Sequence, residues 1–120
     1  MSQSDFEAQP AGKPVIEPSL AVEGFIHLSA TAEQVVWVAN RWYRDVVDLV
    51  VLVIDENGLT RPVRYDSTPD GVFPHLYGPL DRKAIVAIEP LQRSDQGNWI
   101  VTAHPSFLSP AGAGIYPAGG

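Results

Sequence analysis

The chain has 120 residues, 45% of them hydrophobic, and a formal net charge of -6 from 14 acidic and 8 basic residues. That length is one domain's worth, with enough apolar side chains for a core that needs no disulfide or metal to hold it. Cysteine is absent, which removes disulfides, thiolate metal sites and cysteine nucleophiles and fits a cytoplasmic location. The Lys and Arg residues form no run, which argues against nucleic-acid binding. No apolar stretch is long enough to cross a membrane, and residues 1–10 have neither the basic start nor the apolar segment of a signal peptide.

Residues 1–22 carry Pro10, Gly12, Pro14 and Pro18 and read as an irregular N-terminal segment, with room for one helical turn near residues 5–9. A single α+β domain is expected over 23–104. Over residues 25–29 apolar and polar positions alternate, so Ile26 and Leu28 share one face of a short strand and Phe25, His27 and Ser29 the other. Thr31 followed by Gln34 has the form of a capping box. It predicts a helix ending near Tyr43 or Arg44, with Val35, Val38, Ala39 and Trp42 as its buried stripe. Residues 48–55 are a continuous Val/Leu/Ile run and predict a central strand buried on both faces. Asn57-Gly58 signals a turn, residues 62–65 read as the returning strand, and residues 67–71 as a loop. Residues 73–80 are extended, and Pro74 places them at an edge or in a loop. Residues 84–91 predict a further strand. A turn at 95–98 lets 99–103 pair back as a hairpin. Residues 105–120 are mostly Pro, Gly, Ala and Ser and read as a flexible C-terminal tail. The whole is a small mixed or antiparallel sheet domain with one main helix, without the regular alternation of a doubly wound fold.

Two histidines stand out as catalytic candidates. His27 lies between Phe25 and Ser29 on its strand face. An imidazole there reads either as a ligand contact, able to donate and accept at once, or as a half-buried histidine satisfied by a backbone carbonyl. His75 lies between Phe73 and Tyr77. That makes either a slot for a flat ring or plain aromatic packing. Arg64 and Asp66 share a strand face: Arg64 can clamp an anion and Asp66 can act as base or orienter, or the two form an exposed ion pair. Gln34 and Tyr77 are secondary candidates, Gln34 chiefly as a helix cap. His27, His75 and His104 show no metal-ligand spacing, so no metal is expected. Phosphate-binding glycine loops and a Gly-x-Ser-x-Gly elbow are absent.

The segments Gly24-Phe25-Ile26-His27-Leu28-Ser29, Gln34-Val35, Asp48-Leu49-Val50-Val51-Leu52 and Phe73-Pro74-His75-Leu76-Tyr77-Gly78-Pro79-Leu80, in that order and spacing, resemble the bacterial family known as domain of unknown function 952. The resemblance covers about residues 19–91, and Arg64-Tyr65-Asp66 falls where the family has a basic residue, an aromatic and a glutamate. It implies a fold related to the ADP-ribosyltransferase superfamily, with two small sheets facing each other across a cleft that binds NAD in active relatives. The family carries no established activity, and the glutathione transferase label given to some members finds no thioredoxin-like start here. Two departures stand out: the family's first strand, with its Tyr-His-Ile, has Met1-Ser2-Gln3-Ser4-Asp5 in its place, and Asp66 replaces the glutamate. The expectation is a cleft for a small ligand, a nucleotide or other phosphorylated molecule with NAD as the candidate cofactor. His27 and His75 are its chemical groups; Phe25, Ser29, Arg64, Asp66, Phe73 and Tyr77 are its binding residues. The alternatives are a binding module for a metabolite or a protein that kept the cleft without the chemistry, and a structural adaptor. The sequence gives no oligomeric state.

Overall fold

The structure is a computed structural model that describes residues 1–100 and the backbone of 113–117. The N-terminal segment is ordered, contrary to the irregular reading of residues 1–22. It holds α1 (Gln3–Ala8), capped by the Ser2 hydroxyl, and α2 (Pro18–Glu23), which starts on a proline and ends at Gly24 in the left-handed conformation. Met1 and Val15 are buried in the main core, and Ser2 bridges Leu49. Isolated apolar residues anchor this segment, and periodicity cannot reveal such anchors.

Beyond Gly24 come β1 (Ile26–His27), α3 (Ala32–Trp42), β2 (Val50–Asp55), β3 (Val63–Thr68), β4 (Gly71–Leu76), β5 (Ile85–Pro90), β6 (Gln92–Arg93), β7 (Trp99–Ile100) and β8 (Ala113–Pro117). They form antiparallel sheets in the orders β1-β4-β3, β5-β2-β8 and β6-β7. The domain is therefore α+β with one main helix, as expected. β2 is central and buried along nearly its whole length. Val50, Leu52 and Ile54 on one face meet Ile26, Leu28 and Leu76 of the first sheet. Leu49, Val51 and Val53 on the other face meet Val35 and Ala39 of α3 with Leu91 and Trp99. The alternation read at residues 25–29 holds, since both of its apolar positions enter the core.

Three expectations about strand placement are corrected. The strand after Asn57-Gly58 does not return along β2. A 3-10 turn (Glu56–Gly58) sends the chain to the other sheet, where β3 pairs with β4 through a tight turn at Pro69 and Asp70. β4 is a central strand, not an edge. The Pro74 carbonyl accepts from Leu28 N at 3.0 Å, so the missing N–H of Pro74 falls on the same side, at the end of β1, and leaves the pairing with β3 intact. Within the tail, residues 113–117 run as strand β8 along β2, because the open edge of a buried strand must be paired. The rest of the tail and His104 lie outside the described residues, as do 101–103 of the expected hairpin, whose first part is present as Gln92↔Ile100 and Arg93↔Trp99. Among the described residues no helix is long and apolar enough to cross a membrane.

Candidate functional site

Strand register brings the two histidines together. His27 of β1 stands opposite His75 of β4, and His75 opposite Arg64 of β3. Directly opposed residues in an antiparallel pair share a face, so Phe25, His27, Phe73, His75, Tyr77, Arg64 and Asp66 all project from the same side of the first sheet. This is the side away from the core, because the alternate positions, Ile26, Leu28 and Leu76, are the ones packed against β2. The opening implied by the family resemblance, a cleft between two facing sheets, is thus filled with side chains. The cavity lies on the other face instead.

The rings form one cluster. Phe25 stacks on His75 with centroids 4.0 Å apart and planes 17° apart. His27 meets Phe25 edge-on at 5.0 Å and His75 edge-on at 5.2 Å. His75 is only 5% exposed. Its Nδ1 is 2.8 Å from Asp66 Oδ2, and the Tyr77 hydroxyl donates to the same oxygen at 2.6 Å. A carboxylate only accepts, so the proton of a neutral His75 sits on Nδ1 and Nε2 is left as an acceptor. The bonds from Tyr77 and His75 hold the Asp66 carboxyl below the usual carboxylate range, and the bond to Asp66 raises the Tyr77 phenol. His27, half exposed, pairs through Nε2 with Glu23 Oε2 at 2.6 Å. The left-handed Gly24 makes this contact, because it folds the end of α2 back over β1. Arg64 lies over the Tyr77 ring at 5.2 Å and makes no ion pair with Asp66 among the described residues.

A cavity of about 490 Å³ opens beside the ring cluster, and Phe25, His27, Ser29, Phe73 and His75 line it. Asp66 and Tyr77 stand behind His75 as supports, and Arg64 stands beyond Tyr77; none of the three is in the lining. Ser29 is 1% exposed, and its Oγ has no hydrogen-bond partner among the described residues. Gln34 is a cap and also a brace. Its backbone N–H donates to Thr31, and its side-chain carbonyl accepts from Ala30 N. Its amide donates to the Val72 carbonyl, tying α3 to β4 across the cavity's end. Among the described residues no three His, Asp or Glu side chains gather to hold a metal.

Sequence reasoning missed the opposite wall. Trp37, Val38, Trp42 and Tyr43 line the cavity from α3 and its end, and Thr68 and Asp70 from the β3–β4 turn. Val38 and Trp42 had been assigned to the buried stripe. Instead Trp42 is 62% exposed and only Val35 and Ala39 of α3 are fully buried. Burial pushes the Tyr43 hydroxyl up to about 12, with Glu17 adding to it. The signals for this wall were present: Trp37 off the Val35/Ala39 stripe, and a glutamate four residues before His27.

The profile of the family described as Protein of unknown function (DUF952) matches residues 1–88. The chain belongs to this family. Among solved structures, the DUF952 chain is similar to Protein CC0527 from Caulobacter crescentus at 29% identity, with 82% of this chain and 88% of that chain covered and a TM-score of 0.71. A double mutant of the same protein matches at 28% identity with the same coverage and TM-score. No curated protein matches this DUF952 chain.

Proposed function

We propose that the domain binds a small molecule with a flat ring in the cavity beside Phe25, His27 and His75. The observation that carries this reading is the convergence of two imidazoles from separate strands on one cavity walled by aromatic rings. Such a cavity is within the size range of small-molecule sites, which are mostly apolar with a few polar groups that fix orientation. Here the polar groups are His75 Nε2, His27 and the Ser29 hydroxyl. The dyad of His75 with Asp66 suits proton transfer, since the carboxylate fixes the tautomer and stabilises the imidazolium.

A nucleotide, with NAD first, is the ligand to test. The ADP-ribosyltransferase relationship implied by the sequence motifs names that candidate but not this location, because the cleft between the sheets is filled; the aromatic lining is what supports it here. The lining suits the ring end of such a molecule. The phosphate end would have Arg64 to reach, on the same sheet face beyond Tyr77. The second reading, a module that binds without catalysis, draws on Ser29. Its hydroxyl makes no hydrogen bond among the described residues, so it stands free to receive a ligand and is not paired as an activated nucleophile would be.

Titration with NAD, ADP-ribose and AMP, followed by tryptophan emission and by calorimetry, tests the proposal. Trp37 and Trp42 line the cavity, while Trp99 is buried in the other core cluster. Saturable quenching that Trp42→Leu reduces and Trp37→Leu with Trp42→Leu abolishes, and that His75→Ala and Ser29→Ala weaken, is expected. Millimolar ligand with neither heat nor quenching removes the nucleotide reading. Binding with no turnover of NAD selects the module.

A further inference from the structure

We infer that the group taken into the cavity is an organic cation, of the kind presented by an N-alkylated aromatic ring. This rests on the reading that the cavity holds a flat-ringed ligand and adds the sign of its charge. Two carboxylates, Glu23 and Asp70, belong to the lining, and no Lys or Arg does. The Glu23 carboxylate is shared with His27. Asp70 makes no ion pair among the described residues, its backbone N–H being held by the Thr68 hydroxyl at 3.2 Å. Trp37 and Trp42 line the cavity, and Trp37 packs toward Phe73 at 6.3 Å.

Aromatic faces attract cations through their quadrupole, most strongly when both partners are withdrawn from water. An anion here would meet those faces and two carboxylates together. The neighbouring arginines do not reverse this sign. Arg64 is engaged over Tyr77, outside the lining, and Arg41 stacks on Trp42 at 4.7 Å without entering it. Arg41 also demonstrates that the Trp42 ring accepts a cation. The chain's net charge of -6 adds a long-range field of the same sense.

The experiment compares three probes of one ring size, N-methylpyridinium, benzyl alcohol and benzoate, titrated by NMR into the full chain and into Asp70→Asn. Asp70 is exposed, at the tip of a turn, so the substitution leaves the fold intact, as a matching unfolding midpoint verifies. N-methylpyridinium is expected to bind about tenfold tighter than either of the others. In Asp70→Asn its affinity falls severalfold while that of benzyl alcohol holds. Benzoate or benzyl alcohol binding as tightly as the cation, or a cation affinity indifferent to Asp70→Asn, overturns the inference and leaves the cavity reading standing. Silence from all three probes ends both.

Discussion

Phe25 is the side chain on which the ring cluster depends, and its removal gives the sharpest energetic test. It touches His75 face to face, His27 at an edge and Tyr77 at 5.3 Å. An aromatic pair of this kind contributes about 0.5–1.5 kcal/mol beyond burial. Full burial of a phenylalanine contributes about 1.5–3 kcal/mol, and Phe25 is half-buried, so roughly half of that applies. With some of the ring contacts relaxing, Phe25→Ala should cost about 2–3 kcal/mol, a large share of the roughly 5–15 kcal/mol of a domain. In urea, with a slope of about 1–3 kcal/mol per molar, the unfolding midpoint falls by about 1–2 M. Phe25→Leu keeps most of the apolar volume and loses the ring geometry, so it should cost about 1 kcal/mol. The assay is urea denaturation followed by circular dichroism, with the His75 imidazole resonances recorded in parallel. If Phe25→Ala unfolds within about 0.5 kcal/mol of the parent and the His75 resonances stay in place, the cluster is not a coupled unit and the reasoning fails.

Three further outcomes are expected. Asp66→Asn should flatten part of the acid limb of stability. The depressed carboxyl of Asp66 contributes stability above the unfolded value of about 3.9 and loses it as pH falls through the lower folded value. The gap between parent and variant in urea midpoint should therefore narrow as pH drops from about 5 to about 2, and a gap constant across that range contradicts the bonding pattern. Leu76→Ala, fully buried beside His75, should cost about 2–5 kcal/mol, whereas Val72→Ala on the same strand, half exposed, should stay within about 1 kcal/mol; equal losses in thermal melts would misplace the core. Gly58→Ala puts a Cβ 2.9 Å from the Ala84 backbone and should cost about 1–3 kcal/mol by calorimetry, with no loss if that turn is free to shift.

What could be read in advance follows the range of the forces involved. β2 was legible because burial on both faces leaves an unbroken apolar run. The cap of α3 was legible because Thr31 and Gln34 act within one turn. The residues flanking each histidine on its own strand face were legible because alternation fixes them. Pairing was not legible. Asn57-Gly58 and Pro69-Asp70-Gly71 carry similar turn chemistry, yet the first forms a 3-10 turn packed close to Ala84 and the second closes a hairpin. The cavity's far wall was hidden for a related reason. Trp42 has the periodicity of a core residue, but the six residues of β2 are covered before the last turn of α3 is reached. The buried anchors Met1 and Val15 are solitary in a proline-rich stretch and leave no pattern.

The two imidazoles are secured very unequally. His75 stands on a six-residue strand laddered on one side to the whole of β3, whereas β1 pairs with β4 at Ile26 and His27, with one further backbone bond from Leu28. The same wall of the cavity therefore carries one imidazole on a fully paired strand and one on a short strand end. Amide deuteration should record the asymmetry, with the His27 neighbourhood exchanging well ahead of His75 and slowing most once a guest is seated.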